Sequence, residues 1–258
     1  PTENGGIGYG TQWDMKFVHP VREVLTALND DERDLQKIVD AIVYKYNDDV
    51  FNRVIYTESH DEVANGKARV PEEIQPGDAE SSFAKKRSIL GLVLVMTSPG
   101  IPMIFQGQEF LEDGYFKDTE ELNWDKLNRL EGIDQLSADL IKLRTGETPG
   151  AEGLKGQHTE IIHFNQENKI LAYKRTMDGA QPALIILNFG NNDFEDYGIG
   201  IEADKNWKIK FNSTWKGYDK DFSELPVEDI QKVHEESDQK EWTGKVNIPA
   251  YGALIYAL

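Results

Sequence analysis

The 258-residue sequence contains no cysteine, which removes disulfide scaffolding, thiolate metal sites and cysteine nucleophiles from consideration. It has no apolar run approaching the roughly 18 residues that a membrane-spanning helix requires. The first residues, Pro1-Thr2-Glu3-Asn4, offer neither the basic start nor the apolar stretch of a secretory signal. These absences read as a soluble protein of a reducing compartment, expected in the cytoplasm. Positive charge is also scarce: 28 lysines and arginines stand against 46 aspartates and glutamates, a formal net charge of -18. A field of that sign repels phosphate backbones and anionic lipid heads, so nucleic acid and membrane surfaces are not expected partners. Neutral ligands such as sugars stay open.

The length suits one large or two ordinary domains, and it also matches a complete (β/α)8 barrel of about 250 residues. Pattern separates these readings. After the acidic cap Asn29-Asp30-Asp31-Glu32, the apolar residues Leu35, Ile38, Val39, Ile42, Val43 and Tyr46 recur at helical spacing. A second amphipathic helix is predicted from about Met15 to Leu28, with Pro20 in its first turns. A third starts near Ser81, is apolar on nearly all sides through Met96, and stops at Ser98-Pro99-Gly100. Short strand-like runs, Val54-Ile55-Tyr56-Thr57 and Pro102-Met103-Ile104-Phe105, are each followed by a polar loop and then a helix, the last near Ile133 to Arg144. With a first strand placed between Ile7 and Trp13, this order implies three parallel βα units.

Beyond Gly146-Glu147-Thr148-Pro149-Gly150 the pattern changes to short alternating segments: 160–164, 169–174, 183–188, 207–211 and 254–256. Turn signals separate them, which predicts an antiparallel β-sandwich over residues 151–258, after an α/β region over 1–150. The acidic stretch Val233 to Glu241 reads as a solvated loop.

Chemistry concentrates in Thr57-Glu58-Ser59-His60-Asp61-Glu62-Val63-Ala64-Asn65-Gly66-Lys67, directly after a predicted strand. At the C-terminal end of a parallel barrel strand, His60 and Asp61 would face the end where such barrels keep their active sites. A carboxylate there accepts hydrogen bonds from sugar hydroxyls or stabilises a cationic transition state, and a neutral histidine beside it donates one. From spacing alone, a solvated polar loop competes with that reading. Glu109 follows the next strand at a corresponding position, with a carboxylate held by backbone amides of the Gly107 turn as the alternative. Trp13 and Trp124 are candidate platforms for sugar rings, with core packing as the alternative. Neighbouring side chains on one strand diverge, and no His-Glu-x-x-His pattern is present, so no metal site is expected. The glycines from Gly5 to Gly10 fit neither a P-loop nor a dinucleotide fingerprint, and no cofactor is expected.

Three segments together resemble the α-amylase family of glycoside hydrolases, family 13. Glu58-Ser59-His60-Asp61-Glu62 is similar to the family's His-Asp region after the seventh barrel strand, and Gly100-Ile101-Pro102-Met103-Ile104-Phe105-Gln106-Gly107-Gln108-Glu109 to its eighth-strand segment. Gly6-Ile7-Gly8-Tyr9 with Gln12-Trp13-Asp14-Met15, and the longer run of 59–67, resemble α-1,4-glucan branching enzymes; residues 159–258 resemble the β domain of the same group.

The resemblance implies the C-terminal part of a (β/α)8 barrel, its last three βα units, followed by a β-sandwich. It implies that Asp61 is the carboxylate that binds sugar hydroxyls and helps distort the reacting ring, with His60 as the adjacent hydrogen-bond donor. The family's nucleophilic aspartate and general-acid glutamate come from the fourth and fifth strands. No Gly-Phe-Arg-x-Asp type of segment occurs here, and the general acid would precede Pro1. The expected function is therefore a portion of an α-glucan-active enzyme, inactive by itself, or a non-catalytic module that binds carbohydrate or a partner. The expected partners are a starch- or glycogen-like α-glucan and either the remaining half of the barrel or a second copy.

Overall fold

Gly5, Gly6 and Gly8 all take positive φ, and these turns confine the first strand, β1, to Gln12–Trp13. The predicted extension back to Ile7 does not form, and Ile7 and Tyr9 are exposed. The computed structural model describes residues 2–64 and 66–258; Pro1, and Asn65 within the 59–67 motif, lie outside the described residues.

Helix α1 (Met15–Thr26) starts on the Asp14 side chain, which accepts from the backbone N–H of Lys16, and it runs through Pro20. Helix α2 (Leu35–Val43) starts in the same way on Asp34. Strand β2 (Arg53–Ile55) precedes the polar motif, a short helix α3 (Val70–Ile74), and the long helix α4 (Ser82–Thr97) capped by Ser81. The all-round apolar composition of α4 matches its burial from Ile89 to Met96. Strand β3 is only Ile101–Pro102, shorter than the predicted run to Phe105, although the Met103 N–H still donates to the Ile55 carbonyl at 2.9 Å. The three strands pair in parallel in the order β1-β2-β3. Proline is tolerated in β3 because the Met103 N–H is the one turned to β2, which leaves the donor missing at Pro102 on the side with no paired strand among the described residues. After β3 come the short helix α5 (Asp125–Arg129) and α6 (Glu131–Thr145).

The chain forms two compact units, Pro1–Ala138 and Asp139–Leu258, which divide within α6. In the second, β4 (His158–Asn165), β5 (Ile170–Thr176), β6 (Ala183–Asn188), β8 (Lys208–Asn212) and β11 (Ala253–Ala257) form an antiparallel sheet in the order β4-β5-β6-β11-β8. A smaller sheet, β7-β10-β9, is built from Phe194–Ile201, Trp242–Ile248 and Gln231–Val233. Alternate residues of both sheets, including Ile170, Ala172, Leu184, Ile186, Ile199, Ile201, Val246, Ile248, Leu254 and Tyr256, meet in one core. This is the predicted sandwich.

The three strands of the smaller sheet are not marked in the sequence. Glycines obscure β7, and one of them is required: a Cβ on Gly200 would lie 2.3 Å from the Ser237 carbonyl oxygen. The acidic stretch 233–241 is likewise more than a solvated loop. Asp238 accepts from the Gly200 N–H at 2.7 Å and bonds His163 Nδ1 at 2.8 Å, while His163 Nε2 meets the Tyr197 hydroxyl at 2.9 Å. A polar link therefore ties β4, β7 and the hairpin tip together.

One side chain stitches the parallel unit. Arg53 has no exposed surface, and each of its five N–H donors is used. Nε and Nη2 bond the Pro99 carbonyl at 3.1 and 2.7 Å, Nη2 also the Ile42 carbonyl at 2.9 Å, and Nη1 the Ala41 carbonyl at 2.8 Å and Asp14 Oδ2 at 3.1 Å. Burial lowers its pKa, and Asp14 pulls the other way. Arg53→Ala should destabilise the fold by about 3–5 kcal/mol, because it strands Asp14 and three carbonyls. Urea denaturation followed by tryptophan fluorescence measures this; a loss below about 1 kcal/mol would contradict the assignment.

Candidate functional site

The polar motif folds as a loop that starts at the C-terminal end of β2 and returns at α3. Its tip is a turn in which the Ser59 carbonyl accepts from the N–H groups of Glu62 and Val63, at 3.0 and 3.1 Å. That turn presents His60 and Asp61 to solvent, with side chains 56% and 71% exposed and His60 Nε2 3.2 Å from Asp61 Oδ1. Trp13, at the end of β1, reaches the same place. Its ring lies T-shaped to His60 at 5.7 Å and to Tyr56 at 5.4 Å, and the residue is 42% exposed. Trp13, His60 and Asp61 are therefore gathered at one end of the parallel sheet.

Glu109 is half-buried in the one-turn helix Gln108–Phe110 after β3, its backbone carbonyl accepts from Ser137 Oγ at 2.9 Å, and among the described residues no hydrogen bond or ion pair joins it to Trp13, His60 or Asp61. The side chain whose carbons sit against Gly107 is instead that of Glu112, and its carboxylate Oε2 accepts from the Asn123 N–H at 2.8 Å. A Cβ on Gly107 would come within 2.8 Å of the Glu112 Cβ. Trp124 packs one side on Phe110 at 5.7 Å and is otherwise exposed. A cavity of about 310 Å³ lies between the loops after β2 and β3, lined by Arg69, Gln106, Glu112, Tyr115, Phe116 and Asn123. None of the four sequence-predicted site residues lines it.

The exposed tip stands on buried anchors that the sequence reading did not single out. Glu58 is completely buried; its Oε2 accepts from Arg69 Nη1 at 3.1 Å and its Oε1 from the Val70 N–H at 2.7 Å. Burial pushes its carboxyl upward against the opposing pull of Arg69 and the Val70 amide. Arg69 also donates to the Gln106 carbonyl at 2.9 Å and lies over the Phe105 ring at 4.8 Å, joining the loops after β2 and β3. From α1, Arg22 donates to the carbonyls of Thr57 and Ala68, both at 2.9 Å, which fastens the loop at both ends. Glu58 and Arg69 stand eleven positions apart, and no sequence periodicity links them. The only signal was an acid at a strand end and a base just before a helix.

Among the described residues no group of three or more histidines, aspartates and glutamates is placed to hold a metal ion, and no helix is long and apolar enough to cross a membrane.

The comparisons bear on the β domain and on the fold of the chain as a whole. Residues 161–258 match the family described as alpha amylase, C-terminal all-beta domain. The chain accordingly resembles α-amylase-family enzymes, and its β domain is of the kind that closes them. Curated relatives include the 1,4-alpha-glucan branching enzymes of Burkholderia pseudomallei, 26% identical over 84% of this chain, and of Corynebacterium jeikeium, 27% identical over 83%. The chain spans 29% and 30% of the length of these two relatives. Among solved structures, a pullulanase from Anoxybacillus complexed with maltotetraose superposes with a TM-score of 0.66 at 15% identity, covering 96% of this chain and 35% of that one. The debranching enzyme of Nostoc punctiforme gives 0.64 at 16% identity, covering 97% and 48%. At such identities these structures speak for the fold.

Two measurements probe the site. Glu58→Ala leaves a buried guanidinium uncompensated and should cost about 3–5 kcal/mol; hydrogen exchange should show the amides of 58–70 opening before those of α4, and equal protection in both would refute the anchoring role. Tyr56 is buried and close to Glu62, Asp14 and Asp61, which together push its phenol up to about 12 from an ordinary value near 10. Folding therefore favours the protonated phenol, so this contribution is fully present below pH about 10 and is lost as pH rises through about 12. The denaturation midpoint of the Tyr56→Phe variant should fall less steeply across that window than that of the parent.

Proposed function

We propose that this chain is a C-terminal portion of an α-glucan-active enzyme of the α-amylase family, with the three parallel βα units as the last three of a (β/α)8 barrel and the sandwich as its closing domain. The observation that carries the proposal is the gathering of Trp13, His60 and Asp61 at the C-terminal ends of adjacent parallel strands, the end at which barrel enzymes work. In retaining chemistry, a nucleophilic carboxylate attacks C1 of the sugar while a general acid protonates the departing oxygen. The glycosyl-enzyme ester is then opened by water in hydrolysis, or by a sugar hydroxyl in transfer.

Within that reaction Asp61 binds hydroxyls of the reacting glucose and favours its distorted ring. His60 donates a hydrogen bond to the same sugar, and Trp13 offers an apolar face to it. Glu109 has a substrate-binding role. The nucleophile and general acid are supplied from outside the residues present here. Branching-enzyme relatives support transfer at α-1,4 bonds, and neighbours titled as pullulanases support an α-glucan in a broader sense. Both edges of the three-stranded sheet, β1 and β3, are unpaired among the described residues, which favours association with the remaining strands or with a second copy.

The isolated chain should release no reducing sugar from amylose and leave its iodine stain unchanged. Mixed with a polypeptide carrying the preceding strands of such a barrel, it should gain activity that Asp61→Asn lowers by about a hundredfold or more. Activity of the isolated chain, or indifference of the reconstituted enzyme to Asp61→Asn, would defeat the proposal.

A further inference from the structure

The β domain carries an aromatic surface that the reaction above does not use. Trp215 lies in the loop after β8 and is 58% exposed, unlike Trp207, which is buried in the sandwich core. Its indole is held in place despite this exposure. The six-membered ring rests against Gly217, where an added Cβ would lie 2.2 Å from a ring carbon. Tyr218 stands perpendicular to it at 5.1 Å, and the Tyr218 N–H donates to the Trp215 carbonyl at 2.9 Å. Tyr218 is itself pinned, with its hydroxyl donating to Asp139 at 2.8 Å and its ring packed at 6.0 Å from Phe211. Next in the chain, Lys216 forms an ion pair with Glu224.

We propose that Trp215 is a second carbohydrate-binding platform, taking a neutral α-glucan chain apart from the site at His60 and Asp61. A glucose ring has an apolar C–H face and a rim of hydroxyls. An exposed indole matches the face, and an adjacent ammonium–carboxylate pair supplies a donor and an acceptor for the rim. Because Gly217 and Tyr218 already hold the ring, little side-chain entropy remains to be lost on binding, which favours a loop platform of this kind. The net charge of -18 disfavours anionic occupants. The choice of a glucan over other neutral sugars rests on the function proposed above.

Titration of the chain with maltoheptaose, followed through the five tryptophan indole N–H resonances and assigned by single Trp→Phe variants, tests this directly. The Trp215 resonance should shift saturably. In gels containing amylose, Trp215→Ala should weaken retention by about fivefold or more while Trp215→Tyr stays within about twofold of the parent. Trp13→Ala should leave the Trp215 shift intact. If only the Trp13 resonance responds, the glucan reading stands and the second platform falls. If no resonance responds, both fall. Concentration-dependent self-association abolished by Trp215→Ala, without a maltoheptaose shift, would assign the surface to a second copy and overturn the proposal.

Discussion

The parallel unit depends on the burial of one guanidinium. Taking a charged group out of water costs several kcal/mol unless all its hydrogen-bonding capacity is met, and Arg53 meets it with groups from separate elements. Ala41 and Ile42 offer carbonyls from the last turn of α2, where a helix has acceptors without intrahelical partners and a negative dipole end. Pro99 offers one from the turn into β3, and Asp14 a carboxylate that also caps α1. Moving any one of these elements leaves charge or carbonyl unsatisfied in the interior, so helix ends and strand ends are held in register together. Arg87 repeats the device on α1, donating to the Leu25 carbonyl at 2.8 Å and the Ala27 carbonyl at 2.6 Å.

The same division of labour shapes the site. Charged groups that hold the loop after β2 are buried and paired, as Glu58 with Arg69, whereas those with chemistry to offer stand in solvent at the tip. Groups that must exchange water for other partners are held most precisely as open heads on a stiff base. Loops carry such groups because the scaffold beneath them supplies the stiffness.

How far this was legible in the sequence depends on the range of the interaction. The all-round apolar run of α4 is a local pattern with a local cause and formed as read; the repeat from Leu35 to Tyr46 also formed a helix, but one that starts on Asp34 rather than on the acidic cap at 29–32 and ends at Val43, leaving Tyr46 outside. Strand β7, Phe194-Glu195-Asp196-Tyr197-Gly198-Ile199-Gly200-Ile201, was hidden because Gly200 answers to the close approach of Ser237 and Gly198 to that of Thr243, distant contacts that no window of sequence contains. His60 and Asp61 were visible as a dense polar cluster after a strand. Their anchors at Arg22 and Arg69, and the seating of Glu112 rather than Glu109 against Gly107, arise from packing between loops far apart in the chain.

The proline of β3 makes the two rims of the parallel sheet chemically unequal. Met103 turns its N–H inward to Ile55, so by strand alternation the missing N–H of Pro102 is on the outward side. The outer rim of β3 therefore offers an incoming strand a carbonyl at Pro102 and no donor there. A neighbour on that side can bond that carbonyl but finds no N–H at Pro102 for a carbonyl of its own, so the ladder there is one bond short. The rim at β3 is thus a poorer template for strand addition than a rim with every N–H in place.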